Sequence, residues 1–252
     1  MQSTERFSNR VDDYLKYRPH YPQGVIEVLK EHCGLSPSHC VADVGCGTGF
    51  LAELFLKNGN RVYGVEPNRE MREAGRRYLA NHPAFECVEG TAEKTTLPAG
   101  CVDFATAGQA FHWFRRGEAR REFLRILRPE GWAVLVWNDR SIGGSLFLEA
   151  YENLLLRHGT DYRKVDHKAL GKERIEAFFG PRGCRVEMLQ NRQVMDFTGL
   201  RGRLLSSSYV PSEDDPRSRP MLDELALIFE EHQQEGRVSI EYQTRVVLGQ
   251  LQ

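Results

Sequence analysis

Short apolar runs alternate with helical stretches from residue 41 to about 138. The runs are Val41–Val44, Arg61–Val65, Phe85–Val88, Val102–Ala107 and Trp132–Trp137. Between them, residues 50–58, 68–80 and 117–128 carry apolar positions at helical spacing. Strands alternating with helices predict a parallel sheet covered on both faces. Arg128-Pro129-Glu130-Gly131 is expected to stop a helix and turn into the last parallel strand, because proline and glycine punctuate elements.

Beyond Asn138 the rhythm changes. Residues 139–180 are polar with one helical stretch, Leu146–Leu156, and read as an insertion lying over the sheet. Strand-like segments follow near 184–196 and 238–248, separated by the loop Ser206-Ser207-Ser208-Tyr209-Val210-Pro211 and a helix near 218–233. Met221, Leu222, Leu225, Ile228 and Phe229 give that helix an apolar stripe. Two strands joined by such an excursion predict an antiparallel edge hairpin. The first 35 residues form an aromatic and basic arm with Tyr14, Tyr17, Arg18 and Tyr21 and no strand pattern. The organisation expected is one overall domain. Its parts are an arm over 1–35, a cofactor-binding core over 36–138, a helical insertion over 139–182 and edge strands with a helical excursion over 183–252.

Composition narrows the class without changing this picture. Hydrophobic residues make up 40% and charged residues 27% of the 252, enough for a core that needs no metal or disulfide staple. The net charge of -1 gives no electrostatic case for nucleic acid or an anionic membrane. Arg115-Arg116 and Arg120-Arg121 are interleaved with Glu118 and Glu122, which reads as a solvated helix face. Six cysteines (Cys33, Cys40, Cys46, Cys87, Cys101, Cys184) lack paired spacing and companion histidines, so no metal site is expected and the thiols read as buried and reduced. The start, Met1 to Arg6, has no signal-peptide apolar stretch, and no run approaches the roughly 20 apolar residues of a membrane span. A cytoplasmic protein, monomer or homodimer, is the expectation.

The candidate chemistry begins at Val41-Ala42-Asp43-Val44-Gly45-Cys46-Gly47-Thr48-Gly49. An apolar strand carrying an acid leads into a turn with glycine at alternate positions, and a helical pattern starts at Phe50. Such glycines permit unusual torsions and close approach of a ligand to the main chain. The following helix aims its unpaired N–H groups at whatever sits over the turn. This is the layout of a nucleotide-type cofactor site. A dinucleotide fingerprint needs a third glycine where Phe50 stands, which disfavours a nicotinamide cofactor.

The segment resembles the first motif of class I S-adenosylmethionine-dependent methyltransferases, and three later motifs follow in order. Glu66, in Tyr63-Gly64-Val65-Glu66-Pro67-Asn68, ends the second strand; Gly90-Thr91-Ala92-Glu93 follows the third; Leu97-Pro98-Ala99-Gly100-Cys101-Val102-Asp103-Phe104 leads into the fourth. A narrower likeness, to the type 11 group and its trans-aconitate-type small-molecule methyltransferases, rests on three segments. They are Phe7…Tyr14…Tyr17-Arg18-Pro19-His20-Tyr21-Pro22, Gln109-Ala110-Phe111-His112-Trp113-Phe114 and the Ser207–Pro211 loop. The resemblance implies an α/β, doubly wound, seven-stranded, mostly parallel sheet of the Rossmann-like methyltransferase fold, with an antiparallel edge hairpin and helical lid insertions.

The resemblance also implies roles. Asp43 would meet the methionine amino group, Gly45, Cys46, Gly47 and Gly49 the turn itself, and Glu66 the ribose hydroxyls, which suits an acceptor-only carboxylate. Pro67, Met71, Ala92, Glu93 and Ala107 would complete the adenosyl surroundings, and Arg18 the methionine carboxylate. Tyr21, His112, Trp113 and Tyr209 would face the acceptor. His112 titrates near neutrality and is the candidate base. Trp113 would face the sulfonium or sit in the core. His20, His158 and His167 have no evident convergent partners and read as surface residues. The cofactor implied is S-adenosyl-L-methionine, leaving as S-adenosyl-L-homocysteine, with a small-molecule acceptor. A nicotinamide-dependent oxidoreductase and a noncatalytic S-adenosylmethionine-binding module stay open as alternatives.

Overall fold

The computed structural model describes residues 11–160, 162 and 172–251; Phe7 and His167 lie outside them. An amino-terminal pair of helices, α1 (Val11–Tyr17) and α2 (Gly24–Cys33), precedes the alternating unit. That unit is β1 (Cys40–Val44), α3 (Phe50–Lys57), β2 (Arg61–Val65), α4 (Arg69–Tyr78), β3 (Phe85–Val88), β4 (Val102–Gly108), α5 (Arg116–Ile126) and β5 (Leu127–Arg140). Then come α6 (Leu146–His158), α7 (Lys172–Phe179), β6 (Arg185–Met195), α8 (Phe197–Leu205), α9 (Ser218–His232) and β7 (Val238–Gly249).

The strands form one seven-stranded sheet in the order β3-β2-β1-β4-β5-β7-β6. Pairings among β1 to β5 are parallel, and β7 runs antiparallel to both β5 and β6. This is the expected doubly wound sheet with its antiparallel edge hairpin. Strand order reverses between β1 and β4, and the crevice outside the carboxyl ends of strands at such a reversal is where these sheets take ligands.

Alternation along each strand divides the core. Val41, Phe104 and Val134 point to the face covered by α2 and α3, whereas Ala42, Ala105 and Ala133 face the layer of α5 and α7. A third apolar cluster joins α6, α8, α9 and the first half of β7, through residues such as Tyr151, Leu204, Leu225 and Ile240. Helix starts are set locally: Asn68 accepts the Met71 amide, Ser145 the Leu148 amide and Asp196 the Gly199 amide. Among the described residues no helix is long and apolar enough to cross a membrane.

The structure departs from the sequence reading at several boundaries. Arg128 to Gly131 do not separate helix from strand: Leu127 already pairs with Val102, Trp132 pairs with Phe104, and the residues between bulge out, with Glu130 at φ 65°. Strand β5 runs on to Arg140 because residues 138–140 pair with Thr244, Gln243 and Tyr242 of β7. Two short helices, α7 and α8, were invisible as patterns. The described part of the arm folds as the helices α1 and α2. His158 and His20 also have partners: His158 Nε2 lies 2.8 Å from Glu224 on α9, and the exposed His20 ring stacks on Phe50 with centroids 4.2 Å apart.

Candidate active site

Strand β1 runs into a turn that side chains would obstruct. Gly45, Gly47 and Gly49 have φ of 69°, 56° and 92°, in the left-handed region that glycine enters at no steric cost. The Gly45 and Cys46 amides donate to the Val65 carbonyl at 2.8 and 3.1 Å, tying the turn to the end of β2. A Cβ on Gly45 would stand 2.7 Å from the Ala110 Cβ, and one on Gly49 would stand 2.6 Å from Leu79. A Cβ on Gly47 would meet nothing within 4 Å. Gly45 and Gly49 are thus fixed by their neighbours, while Gly47 keeps the crest of the turn open.

Two buried carboxylates flank this crest. Glu66 Oε2 accepts the Gly47 amide and Oε1 the Asn68 amide, both at 2.9 Å, and each oxygen retains a lone pair for a hydroxyl donor. Burial raises its pKa, against the pull of those amides. Asp43 is 1% exposed. Its Oδ1 accepts the Thr106 hydroxyl at 3.2 Å, whereas Oδ2 is buried with no hydrogen-bond partner among the described residues. Burial pushes the Asp43 carboxyl up to about 7. The Thr48 hydroxyl is likewise buried and unpartnered. An orphaned carboxylate oxygen is costly unless a ligand donor meets it.

These groups open into a cavity of about 590 Å³, a size ordinary for small-molecule sites. Of the residues expected at the cofactor, Gly45, Cys46 and Gly47 line it, as do the acids Asp43, Glu66 and Glu93. Pro67, Met71, Ala92 and Arg18 line it too. Glu93 is also anchored, accepting the Arg115 amide at 2.8 Å. Gly49 and Ala107 do not line the cavity: Gly49 caps α3 against Leu79, and Ala107 is 0% exposed within the core between the sheet and α5. Phe50 occupies the position of a third dinucleotide glycine, where its ring makes stacked contacts with His20 and Tyr14 and an edge contact with Tyr78. A wedge of this size excludes the close backbone approach that fingerprint requires.

The residues expected at the acceptor also converge. Tyr21, His112, Trp113 and Tyr209 all line the cavity. The Tyr21 hydroxyl lies directly over Gly108 at the end of β4, where a Cβ would stand 2.6 Å from it; burial raises its pKa well above the usual phenol value. Trp113 is 38% exposed and tilts against His112 with centroids 4.6 Å apart, so it is a mouth residue and not a core tryptophan. Tyr17 does not reach the cavity; its ring lies against Gly202 of α8, and its carbonyl accepts Gln193 at 2.8 Å.

Sequence reasoning missed a group of long polar side chains on the far wall. Arg140, Glu152, Tyr162, Arg203 and Tyr242 come from β5, α6, the loop after α6, α8 and β7, and they line the same cavity. Arg140 donates to Glu152 and, at 2.9 Å, to the Tyr162 hydroxyl. Arg203 donates to the hydroxyls of Tyr242 at 3.2 Å and Ser207 at 3.0 Å. None of them lies in a recognisable motif; the available signal, for Arg203 alone, was a pair of arginines in a short helix with apolar residues on either side, Leu200-Arg201-Gly202-Arg203-Leu204.

Comparison with known proteins agrees with this geometry. Residues 42–135 match the family model described as a methyltransferase domain, which spans β1 through most of β5. The chain is 27% identical over 244 residues to an uncharacterised methyltransferase-like protein of Schizosaccharomyces pombe, covering 94% of this chain and 92% of that one. Residues 42–135 form a methyltransferase domain, and the chain is similar to the class I S-adenosylmethionine-dependent methyltransferases. An uncharacterised methyltransferase of Mycobacterium tuberculosis is 36% identical over 134 residues, covering 53% of this chain and about half of the relative, 52%. A solved structure from Anaeromyxobacter dehalogenans superposes with a TM-score of 0.69 at 22% identity, covering 93% of this chain and 98% of that one. The YcgJ protein from Bacillus subtilis superposes at 0.54 with 19% identity, covering 90% and 98%; these two likenesses bear on the fold. The cofactor of this methyltransferase is S-adenosylmethionine, and the open crest at Gly47, the orphaned Asp43 oxygen and Glu66 fit it. The relatives' names stop at the word methyltransferase and leave the acceptor to be inferred.

Proposed function

We propose that the protein methylates a small molecule by in-line displacement inside the cavity between the sheet and its helical cover. The observation that carries this reading is the single cavity shared by Asp43, Gly47 and Glu66 at one end and by His112, Tyr209 and Arg203 at the other. When bound, S-adenosylmethionine supplies a sulfonium methyl already activated for displacement. Asp43 holds the methionine ammonium, Glu66 the ribose hydroxyls, and Ala92 and Glu93 the adenine edge. Arg18 holds the methionine carboxylate from the arm. The protein's remaining work is to align the acceptor with the methyl and exclude water.

Helices α1 and α2 of the arm, α6 of the insertion and the excursion between β6 and β7 serve as the lid in this reading. Asn138 supports this reading of the arm: its amide donates to the His20 carbonyl at 3.2 Å, and Asn191 donates to the same carbonyl at 2.8 Å. His112 serves as base where the acceptor must lose a proton. A cavity of about 590 Å³ suits a small acceptor rather than a nucleic acid or protein. The six free cysteines support a cytoplasmic setting.

Calorimetric titration with S-adenosylmethionine and S-adenosylhomocysteine tests the donor site, and absence of binding to the intact protein refutes it. A metabolite-extract screen with a radiolabelled methyl donor tests transfer. Donor binding with no labelled product across extracts would favour the noncatalytic binding module. His112→Ala should lower turnover of an acceptor that loses a proton by about 10²–10⁴-fold and leave donor affinity unchanged.

A further inference from the structure

The far wall of the cavity holds more buried positive charge than its acids balance. Arg140 is matched by Glu152, to which Tyr162 also donates at 2.8 Å. Arg18 and Arg203 are not matched. Arg18 gives its Nη2 to the Ser206 carbonyl at 2.7 Å, its guanidinium lies over the Tyr14 ring at 5.2 Å, and its Nε is buried without a partner. Arg203 is 5% exposed and bonds two hydroxyls. Among the described residues neither forms an ion pair with a carboxylate, and Arg203 adds to burial in lowering the pKa of Arg18. Buried cations without counterions are expensive, and a ligand anion is what relieves them.

The cofactor brings one carboxylate, and the proposed donor site gives it to Arg18. Arg203 then remains, set deep among Tyr209, Tyr242 and Ser207. Burial raises the Tyr209 phenol, but the Arg203, Arg18 and Arg140 guanidiniums outweigh it and hold its pKa below the usual value. Other parts of the same lining have the reverse character. Trp113, Ile142 and Leu156 belong to it and are 38%, 51% and 40% exposed. Three large apolar side chains left in water around one mouth mark a surface that a ligand covers.

Resting on the methyltransferase reading, we propose that the acceptor is an amphiphile with a single anionic head. Its anionic head docks on Arg203 between the hydroxyls of Tyr242 and Ser207, and its apolar part lies against Trp113, Ile142 and Leu156. A small polyanion fits less well: Glu152 already neutralises Arg140, so one guanidinium remains for the head, and Arg115, which also lines the cavity, is already paired with Glu118 and Glu93.

The test uses the full chain saturated with S-adenosylhomocysteine, so that failure of the donor site is seen first and separately. Five probes are titrated at constant ionic strength, with Tm and Trp fluorescence as readouts: octanoate, octanamide, octyl phosphate, acetate and a short tricarboxylate. Octanoate or octyl phosphate should bind at least tenfold more tightly than octanamide and than the tricarboxylate; which head wins identifies carboxylate or phosphate. Arg203→Met should weaken octanoate or octyl phosphate at least tenfold while S-adenosylhomocysteine affinity stays within twofold. Arg203→Lys should recover part of the loss, which separates charge from folding. Leu156→Asp should weaken the eight-carbon probes and leave acetate unchanged. Octanamide binding as tightly as octanoate, the tricarboxylate binding best, or Arg203→Met lowering S-adenosylhomocysteine affinity tenfold would each overturn the proposal.

Discussion

A carboxylate placed where water cannot reach it is a statement about pH. Asp43 titrates near 7 in the folded chain against an ordinary value of 3.8, with burial as the main cause and the charge of Glu66 adding to it. Between those values the folded chain holds a proton that the unfolded chain has released. The stability Asp43 contributes is therefore fully present below about pH 4 and is lost as pH rises through about 7. A donor ammonium brought beside Asp43 reverses this, because a neighbouring cation favours the charged carboxylate. Binding of S-adenosylhomocysteine at pH 6 should release close to one proton, seen by calorimetry in buffers of different ionisation enthalpy. Asp43→Asn should abolish the release; a wild-type titration with no release would move Asp43 away from the ammonium. Gly47 makes a second, steric prediction. Its φ of 56° costs a side-chain-bearing residue roughly 1–2 kcal/mol, and a valine there would also fill the open crest. Gly47→Val should weaken S-adenosylmethionine and S-adenosylhomocysteine at least tenfold, with circular dichroism unchanged; unchanged affinity would show that no ligand approaches the crest.

At the scale of elements, the arm is held by a glycine on another helix. A Cβ on Gly202 of α8 would fall inside the van der Waals envelope of the Tyr17 ring, so α1 and α8 approach as closely as they do because that side chain is missing. Gly202→Ala should push α1 away and carry Arg18, one residue past Tyr17, off the cavity wall. We expect S-adenosylhomocysteine binding about tenfold weaker and faster trypsin cleavage after Lys16, read by mass spectrometry. An arm equally protected in the variant would show that α8 does not hold it. This contact also shows what the sequence can and cannot reveal. The β1 turn, Glu66 and the Ala92-Glu93 pair were legible because each sits within a few residues of its own strand end, where spacing along the chain is spacing in space. Gly49 and Ala107 looked alike in pattern, yet neighbours turned them toward Leu79 and the core. Arg140, Glu152, Arg203 and Tyr242 were illegible because four separate elements bring them together, and no local period records that meeting. The bulge at 128–131 was read as punctuation because proline and glycine announce an interruption without saying whether pairing resumes on the same strand.

For the molecule as a whole, the question is whether the cover can open or melt apart from the sheet. Strand β7 decides it. Its first half, with Val238, Ile240 and Tyr242, belongs to the apolar cluster of α6, α8 and α9. Its second half, with Val246, Val247 and Leu248, belongs to the two clusters on the faces of the sheet. A strand with one end in each core cannot lose the cover and keep its full pairing with β5 and β6. Cover and sheet should therefore unfold together, although the chain is long enough for separate domains. Leu225 is 0% exposed in the cover cluster, far along the chain from the glycine turn. Leu225→Ala should cost about 2–5 kcal/mol and lower one calorimetric transition without splitting it. S-adenosylhomocysteine at about 100 times its Kd should raise that same transition in wild type and variant alike, by the equivalent of about 2.7 kcal/mol. A low-temperature transition appearing in Leu225→Ala and untouched by the ligand would show that the cover melts alone. In that case the cavity's far wall, with Arg140 and Arg203, would assemble only after the donor site is already folded.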